Sequence, residues 1–268
     1  MEYNFSDKVV LVTGASSGIG EATALLFAKF GAQLALVGRN EKNLNAVADQ
    51  CMKELGVRVL PIIADLGTDE GCEKVAKMTL EHYGRLDVLV NNAGIGSKYD
   101  LIETNSMEML DRVFSVNVRG VYNLTRLVVP ALVKSNGNIV NISSVVGKMV
   151  NVGMLTYSMS KAALDHFTRL IALELGPKGV RVNTVSPGST ITSFYQRLTE
   201  ITEEEYKKHL EDCERCIPLG KVCTSEDIAK TIVHVASEHS CRVTGTDIVV
   251  DGGLQFSSFG NMLKDALN

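Results

Sequence analysis

The stretch Thr13-Gly14-Ala15-Ser16-Ser17-Gly18-Ile19-Gly20 constrains the fold more than any other. It follows a β-branched apolar run over residues 8–12 and precedes a helical pattern over 21–30 that stops at Gly31. An apolar run of that length reads as a strand buried on both faces. Strand, glycine-rich turn and helix together make a phosphate cradle. Gly14 permits the tight turn, Gly18 lets the backbone approach a pyrophosphate, and Gly20 lets the helix pack close to the strand. The helix N-terminus then faces the phosphates. A plain strand-to-helix turn would not need three glycines so spaced. The spacing is Gly-x-x-x-Gly-x-Gly, distinct from the Gly-x-Gly-x-x-Gly fingerprint.

The same alternation continues along the chain. A strand over 33–37 ends in Gly38-Arg39-Asn40. An acidic side chain here suits the adenosine ribose of NAD, whereas an arginine suits the 2′-phosphate of NADP. The first acid is Glu41, so Arg39 favours NADP, with NAD as the alternative. Helical patterns over 43–55, 69–83 and 106–135 alternate with strands over 57–63, 86–90 and 138–142. Strands over 180–185 and 248–250 follow, with helices near 157–176 and 225–237. Repeated units of this length predict an α/β fold, a doubly wound parallel sheet of about seven strands with helices on both faces. The whole chain, 1–268, is expected to be one Rossmann-type domain. Residues 190–219, rich in Glu, Lys and Tyr, break the rhythm and read as a helical lid without a strand of its own.

Ligands bind such sheets at the carboxyl ends of the strands. Asp65, Asn91-Asn92-Ala93-Gly94, Ser143-Ser144 and Pro187-Gly188 all fall there. Asn117 lies inside the 106–135 helical pattern, where asparagine has poor propensity. Either it serves a site or its side chain is satisfied by a neighbouring helix. Tyr157 and Lys161 are four residues apart, and so lie on one helical face. A phenol titrates near 10 and works as an acid–base near neutrality only if a cation stabilises its phenolate. The expected substrate walls are 95–99, 145–155 and the lid, with Val145, Val146, Met149, Val152, Met154 and Leu155 forming an apolar, adaptable surface.

A net charge of −4 gives no electrostatic footprint for nucleic acid. No apolar run reaches the ~18 residues that span a bilayer. The N-terminus carries acids and runs straight into a strand, unlike a signal peptide, so a cytoplasmic location and reduced thiols are expected. His209, Cys213, Cys216 and Cys223 have spacings a zinc site could use. They lie in a continuous helical pattern rather than a knuckle, and no metal is expected.

These residues, in order and at these spacings, resemble the short-chain dehydrogenase/reductase family from about Phe5 to Gly253. The resemblance is carried by Thr13-Gly14-x-x-x-Gly18-Ile19-Gly20, Asp65, Asn91-Asn92-Ala93-Gly94, Asn117, Ser144, Tyr157-x-x-x-Lys161 and Asn183-x-x-x-Pro187-Gly188. It implies an oxidoreductase interconverting a secondary alcohol and a ketone on a hydrophobic small molecule, in the manner of a carbonyl reductase. Tyr157 would be the general acid–base, and Lys161 would lower its pKa and hold the nicotinamide ribose. Ser144 would orient the substrate oxygen and Asn117 would position a proton-relay water. The resemblance further assigns Asp65 and Leu66 to the adenine. Asn91, Ala93 and Gly94 fall on the cofactor's inner face, and Thr192 near the carboxamide. It also implies a homodimer or homotetramer. Two positions depart from the family pattern. Thr190 stands where a valine or isoleucine is usual, and Ser17 where NADP-preferring members often carry a basic residue. Alternatives are an NAD-dependent dehydrogenase of the same family, or a catalytically silent nucleotide-binding scaffold.

Overall fold

The computed structural model describes residues 3–96, 101, 106–150, 153–199 and 201–257. Seven strands form one parallel sheet: β1 (Val9–Thr13), β2 (Gln33–Gly38), β3 (Val59–Ile63), β4 (Val88–Asn91), β5 (Asn138–Ile142), β6 (Arg181–Pro187) and β9 (Asp247–Val250), in the order β3-β2-β1-β4-β5-β6-β9. β7 (Thr190–Ile191) and β8 (Cys223–Thr224) pair in parallel as a separate two-stranded sheet. The sequence pattern shows no strand in the 190–219 insertion. Two residues are too few to display a period of two, so only tertiary pairing reveals β7.

Alternation along each strand sends side chains to opposite layers. Val10 and Val12 join Phe27 of α1 (Gly18–Lys29), Leu44 of α2 (Glu41–Leu55) and Ile232 of α9 (Ser225–Ala236). Val9 and Leu11 point the other way. They join Val75 of α3 (Asp69–Tyr83), Leu124, Val128 and Leu132 of α5 (Val121–Ser135), and Leu175 of α6 (Leu155–Leu175). Each fully buried side chain of this size contributes roughly 1.5–3 kcal/mol, so the two layers hold the sheet rigid beneath the loops at its carboxyl edge.

The expected single helix over 106–135 is three pieces. α4 (Ser106–Phe114) runs into a π-helical turn, Ser115–Gly120, and then α5. Gly120 lies so close to the Leu66 carbonyl that no side chain fits between them. The wider π turn carries Asn117, fully buried, at its centre. Within the insertion, α7 (Ser193–Thr199) and α8 (Glu203–Cys216) follow β7. Among the described residues, no helix is long and apolar enough to cross a membrane.

Candidate active site

The strand order reverses between β1 and β4, and the glycine turn and the Asn91–Gly94 segment face each other across that switch point. Gly14 has φ +66°, a left-handed conformation in which a side chain would also strike Asn92 and the Ala93 backbone. Thr13 and Asn92 brace the two segments. The Asn92 amide donates to the carbonyls of Thr13 (2.8 Å) and Gly14 (3.2 Å). Thr13 Oγ1 accepts from the N–H groups of Asn92 (2.9 Å) and Ala93 (3.0 Å). α1 starts at Gly18, inside this turn, and the leading N–H groups of a helix are suited to an anion. The cradle fits a pyrophosphate.

At the next strand end, Arg39 and Asp65 lie 3.8 Å apart, both about half exposed. Asp65 Oδ1 also accepts from the Gly67 N–H at 2.9 Å, and Leu66 is buried beside it. A side chain at Gly38 would come within 3.1 Å of Ser16 and 3.3 Å of Leu44, which leaves little room there for an acid. Asn91 turns its side chain away from this groove. Its amide donates to Thr125 Oγ1 (3.2 Å) and Asn141 Oδ1 (2.9 Å), so only its backbone is available on the groove side.

Tyr157 and Lys161 sit on one face of α6, both buried, with Lys161 Nζ 5.4 Å from the centre of the phenol ring. Lys161 Nζ donates to the Ile142 carbonyl at 2.7 Å. Burial pushes the Lys161 ammonium down to about 8, while the Asp165 carboxylate one turn further along α6 pulls it back up. The same burial pushes the Tyr157 phenol above its usual value, opposed by the hydroxyl of Ser144. Burial is the larger of these two effects, and the phenol holds its proton at neutral pH.

The two serines after β5 part company. Ser143 is buried and donates to the Lys161 carbonyl at 3.3 Å. Ser144 is the one whose hydroxyl reaches the phenol, and its oxygen also accepts a long bond, 3.4 Å, from the Val146 N–H. Asn117 Oδ1 accepts from the Ile95 N–H at 2.9 Å, and its amide donates to the Ile95 carbonyl (2.9 Å) and Ser160 Oγ (3.0 Å). Ser160 in turn donates to the Tyr157 carbonyl at 2.7 Å.

At the end of β6, the Gly188 N–H donates to the Val250 carbonyl at 2.9 Å, which places Pro187-Gly188 beside Asp251. Thr190 Oγ1 donates to the Gly188 carbonyl at 3.0 Å. Thr192 packs against Gly18, where an added side chain would meet it at 3.2 Å. The segment after β6 therefore touches the glycine turn. Val145, Val146 and Tyr157 form an apolar cluster with Met149, Met154 and Phe194. Residues 97–99 and 151–152 of the expected wall, Val152 among them, lie outside the described residues. Cys213 Sγ and His209 Nε2 are 3.5 Å apart, but among the described residues no three His, Cys, Asp or Glu side chains group as metal ligands.

Residues 14–255 match the family model described as enoyl-(acyl carrier protein) reductase. The chain is 40% identical over 248 residues to the 3-oxoacyl-[acyl-carrier-protein] reductase FabG of Thermotoga maritima, covering 92% of this chain and 97% of that one. The chain belongs to the short-chain dehydrogenase/reductase family. A member of unknown function from Caenorhabditis elegans, solved with cofactor, superposes with a TM-score of 0.89 at 35% identity over 96% of this chain and 98% of the other. L-Sorbose reductase from Gluconobacter frateurii, complexed with NADPH and L-sorbose, gives 0.89 at 31% identity over 96% and 99%. As a short-chain dehydrogenase/reductase, the protein is an oxidoreductase acting on CH–OH donors.

The sequence motifs contain Thr13 and Asn92 without revealing that they brace the cradle. Ser160, Asp165, Phe194 and Tyr206 are neighbours of the site that no motif marks. Ser160 lies in the Tyr157–Lys161 interval and Asp165 one turn beyond it, which is a usable signal. Phe194 and Tyr206 carry none, because their placement depends on how the insertion folds back.

Proposed function

We propose that the protein is an NADP(H)-dependent oxidoreductase that interconverts a ketone and a secondary alcohol on a hydrophobic small molecule. The observation that carries this reading is the convergence of Ser144, Tyr157 and Lys161 beneath the carboxyl ends of β4 and β5. Gly14, Ser16, Ser17, Gly18, Ile19 and Gly20 would hold the pyrophosphate, and Arg39, Asp65 and Leu66 the adenosine end. Ala93, Gly94, Pro187, Gly188, Thr190, Thr192 and the Asn91 backbone would surround the nicotinamide half. When bound, the reduced nicotinamide supplies the hydride. Ser144 Oγ donates to the carbonyl oxygen and fixes its position. Tyr157 Oη delivers a proton to that oxygen as negative charge develops on it, and takes one back in the oxidative direction. Lys161, cationic at neutral pH, stabilises the phenolate left behind. Asn117 holds the Gly94–Ile95 backbone and the helical turn under Tyr157.

The raised phenol pKa keeps Tyr157 protonated, the form that ketone reduction consumes. Arg39, and the lack of room for an acid at Gly38, support NADP over NAD. The sorbose reductase relative, with its NADPH, agrees with that choice. The apolar cluster around Tyr157 supports a ketone carried on an apolar body, and a 3-oxoacyl group of the kind named for the Thermotoga relative is such a ketone. We read the chain as one domain, with 190–219 its lid. A hollow of about 430 Å³ lined by Phe114, Val118, Tyr122, Leu164 and Phe167 supports pairing with a second copy through α4–α6.

The test is Tyr157→Phe, assayed by absorbance of the reduced nicotinamide alongside a direct binding measurement. Turnover should be lost with cofactor affinity retained. A variant that still works at near the parent rate would remove Tyr157 from the proton transfer.

A further inference from the structure

Three residues of the insertion form a connected path to the phenol. Tyr206 of α8 is buried, and its hydroxyl engages both main-chain atoms of Thr192: it donates to the carbonyl at 3.0 Å and accepts from the N–H at 3.2 Å. Thr192 Oγ1 accepts from the Phe194 N–H at 3.3 Å, which sets the first turn of α7. Phe194 then lays its ring 5.5 Å from that of Tyr157, tilted by 44°. The tip of the ring is so close to Gly96 that an added Cβ there would sit 2.9 Å from Phe194 Cζ, and 3.2 Å from Leu198 Cδ1. Phe194 thus touches the Gly96 segment and lies beside the phenol. A phenylalanine has two side-chain torsions, and here these neighbours restrict them.

We propose that Phe194 is the specificity-determining residue of this enzyme and that Tyr206 is the positioning residue that holds it. The proposal rests on the reading of Tyr157 as the proton donor. A ketone presenting its carbonyl to Ser144 and Tyr157 must place one substituent against the Phe194 ring. Among the described residues, the apolar side chains packed around it are Val145, Val146, Met149, Met154 and Val249. The substituent that fits is flat and apolar, either an unbranched alkyl chain or a single aromatic ring. Bulkier fused or branched groups meet Phe194 first. Tyr206 couples this wall to the cofactor groove, because the Thr192 it clamps is also the residue that packs on Gly18.

The experiment compares the parent, Phe194→Ala, Phe194→Leu and Tyr206→Phe on 2-butanone, 2-octanone, acetophenone and 2-acetonaphthone. kcat/KM is measured with NADPH, and NADPH affinity separately by its fluorescence. Phe194→Ala should raise the ratio of kcat/KM for 2-acetonaphthone over 2-butanone by about tenfold, the discrimination expected of one apolar wall. Phe194→Leu, which keeps the packing, should give a smaller rise. Tyr206→Phe removes only an oxygen. It should move the ratio the same way by about threefold, mostly through KM, because a wall that is no longer pinned discriminates less. Turnover with a size ratio unchanged in all three variants overturns this proposal and leaves the reaction class standing. Failure of the parent to reduce any ketone, with NADPH bound, overturns the reading of the reaction and this proposal together.

Discussion

Asn117 is bonded to both main-chain polar atoms of Ile95, at 2.9 Å in each direction, from the centre of a π-helical turn. A third bond, to Ser160, reaches the turn of α6 that carries Tyr157. One buried side chain therefore ties β4's trailing segment to the helix holding the proton donor. Asn117→Leu leaves those partners unsatisfied at similar volume. Urea unfolding should show a loss of about 1–3 kcal/mol, and the rate should fall more than the stability change alone explains. Asn117→Asp keeps the Ile95 N–H bond and should recover part of the stability but little of the rate. Equal recovery of both would mean that Asn117 is only a strut.

Arg39→Asp should move cofactor preference from NADP towards NAD. It removes a guanidinium suited to a 2′-phosphate and leaves an acid suited to a ribose hydroxyl. The ratio of kcat/KM for the two cofactors is the measurement, and a shift of at least tenfold towards NAD is expected, or about 1.4 kcal/mol. A parent that already prefers NAD would contradict the assignment.

Lys161 gives the stability curve a defined slope. Its folded pKa is depressed, from 10.5 to about 8, so between those values the unfolded chain binds the extra proton. Stability therefore rises with pH across that window, by no more than about 3 kcal/mol from this group. Tyr157 acts oppositely above 10, because its raised folded pKa makes the native state hold the proton longer. Chemical denaturation of the parent and of Lys161→Met at pH 7, 8, 9 and 10 isolates the lysine. The parent-minus-variant difference should climb from 8 to 10, and a flat difference would show that Lys161 keeps an ordinary pKa.

Asp165 lies one turn beyond Lys161, buried, with Ser143, Lys148 and Asp247 around it. Its charge raises the Lys161 pKa against the effect of burial. If the free enzyme needs Lys161 charged, kcat/KM for ketone reduction falls as pH rises through about 8. Asp165→Asn should shift that limb to lower pH while leaving Tyr157 in place. A limb that stays put would assign it to another group.

The strands and the glycine turn were legible because each is a local signal: a β-branched run, or glycine where φ is positive. The order of the sheet followed from right-handed crossovers between units of similar length. The residues at strand ends could be named in advance because parallel topology brings every carboxyl end to one edge. What the sequence concealed is tertiary. Whether Ser143 or Ser144 faces the phenol depends on strand pleat at one residue. That Asn91 faces away from the groove depends on Thr125 and Asn141, which are distant in sequence. The upward push of burial on the Tyr157 phenol depends on how completely α6 is covered. Phe194 and Tyr206 depend on an insertion whose fold is set by β7 pairing with β8.

The π turn at Ser115–Gly120 also absorbs one residue between α4 and α5. An α-helix advances about 100° per residue, and a π turn accommodates one residue more than an α turn over the same rise. Removing one residue from this turn would let the ladder close as ordinary α-helix, with α5 keeping close to its present rotation relative to α4. Leu124, Val128 and Leu132 would stay packed under the sheet, and the change would fall on the turn itself, where Asn117 sits. The turn thus carries its extra residue without disturbing the core: a single deletion would cost the site its Asn117 geometry and leave α5 in phase.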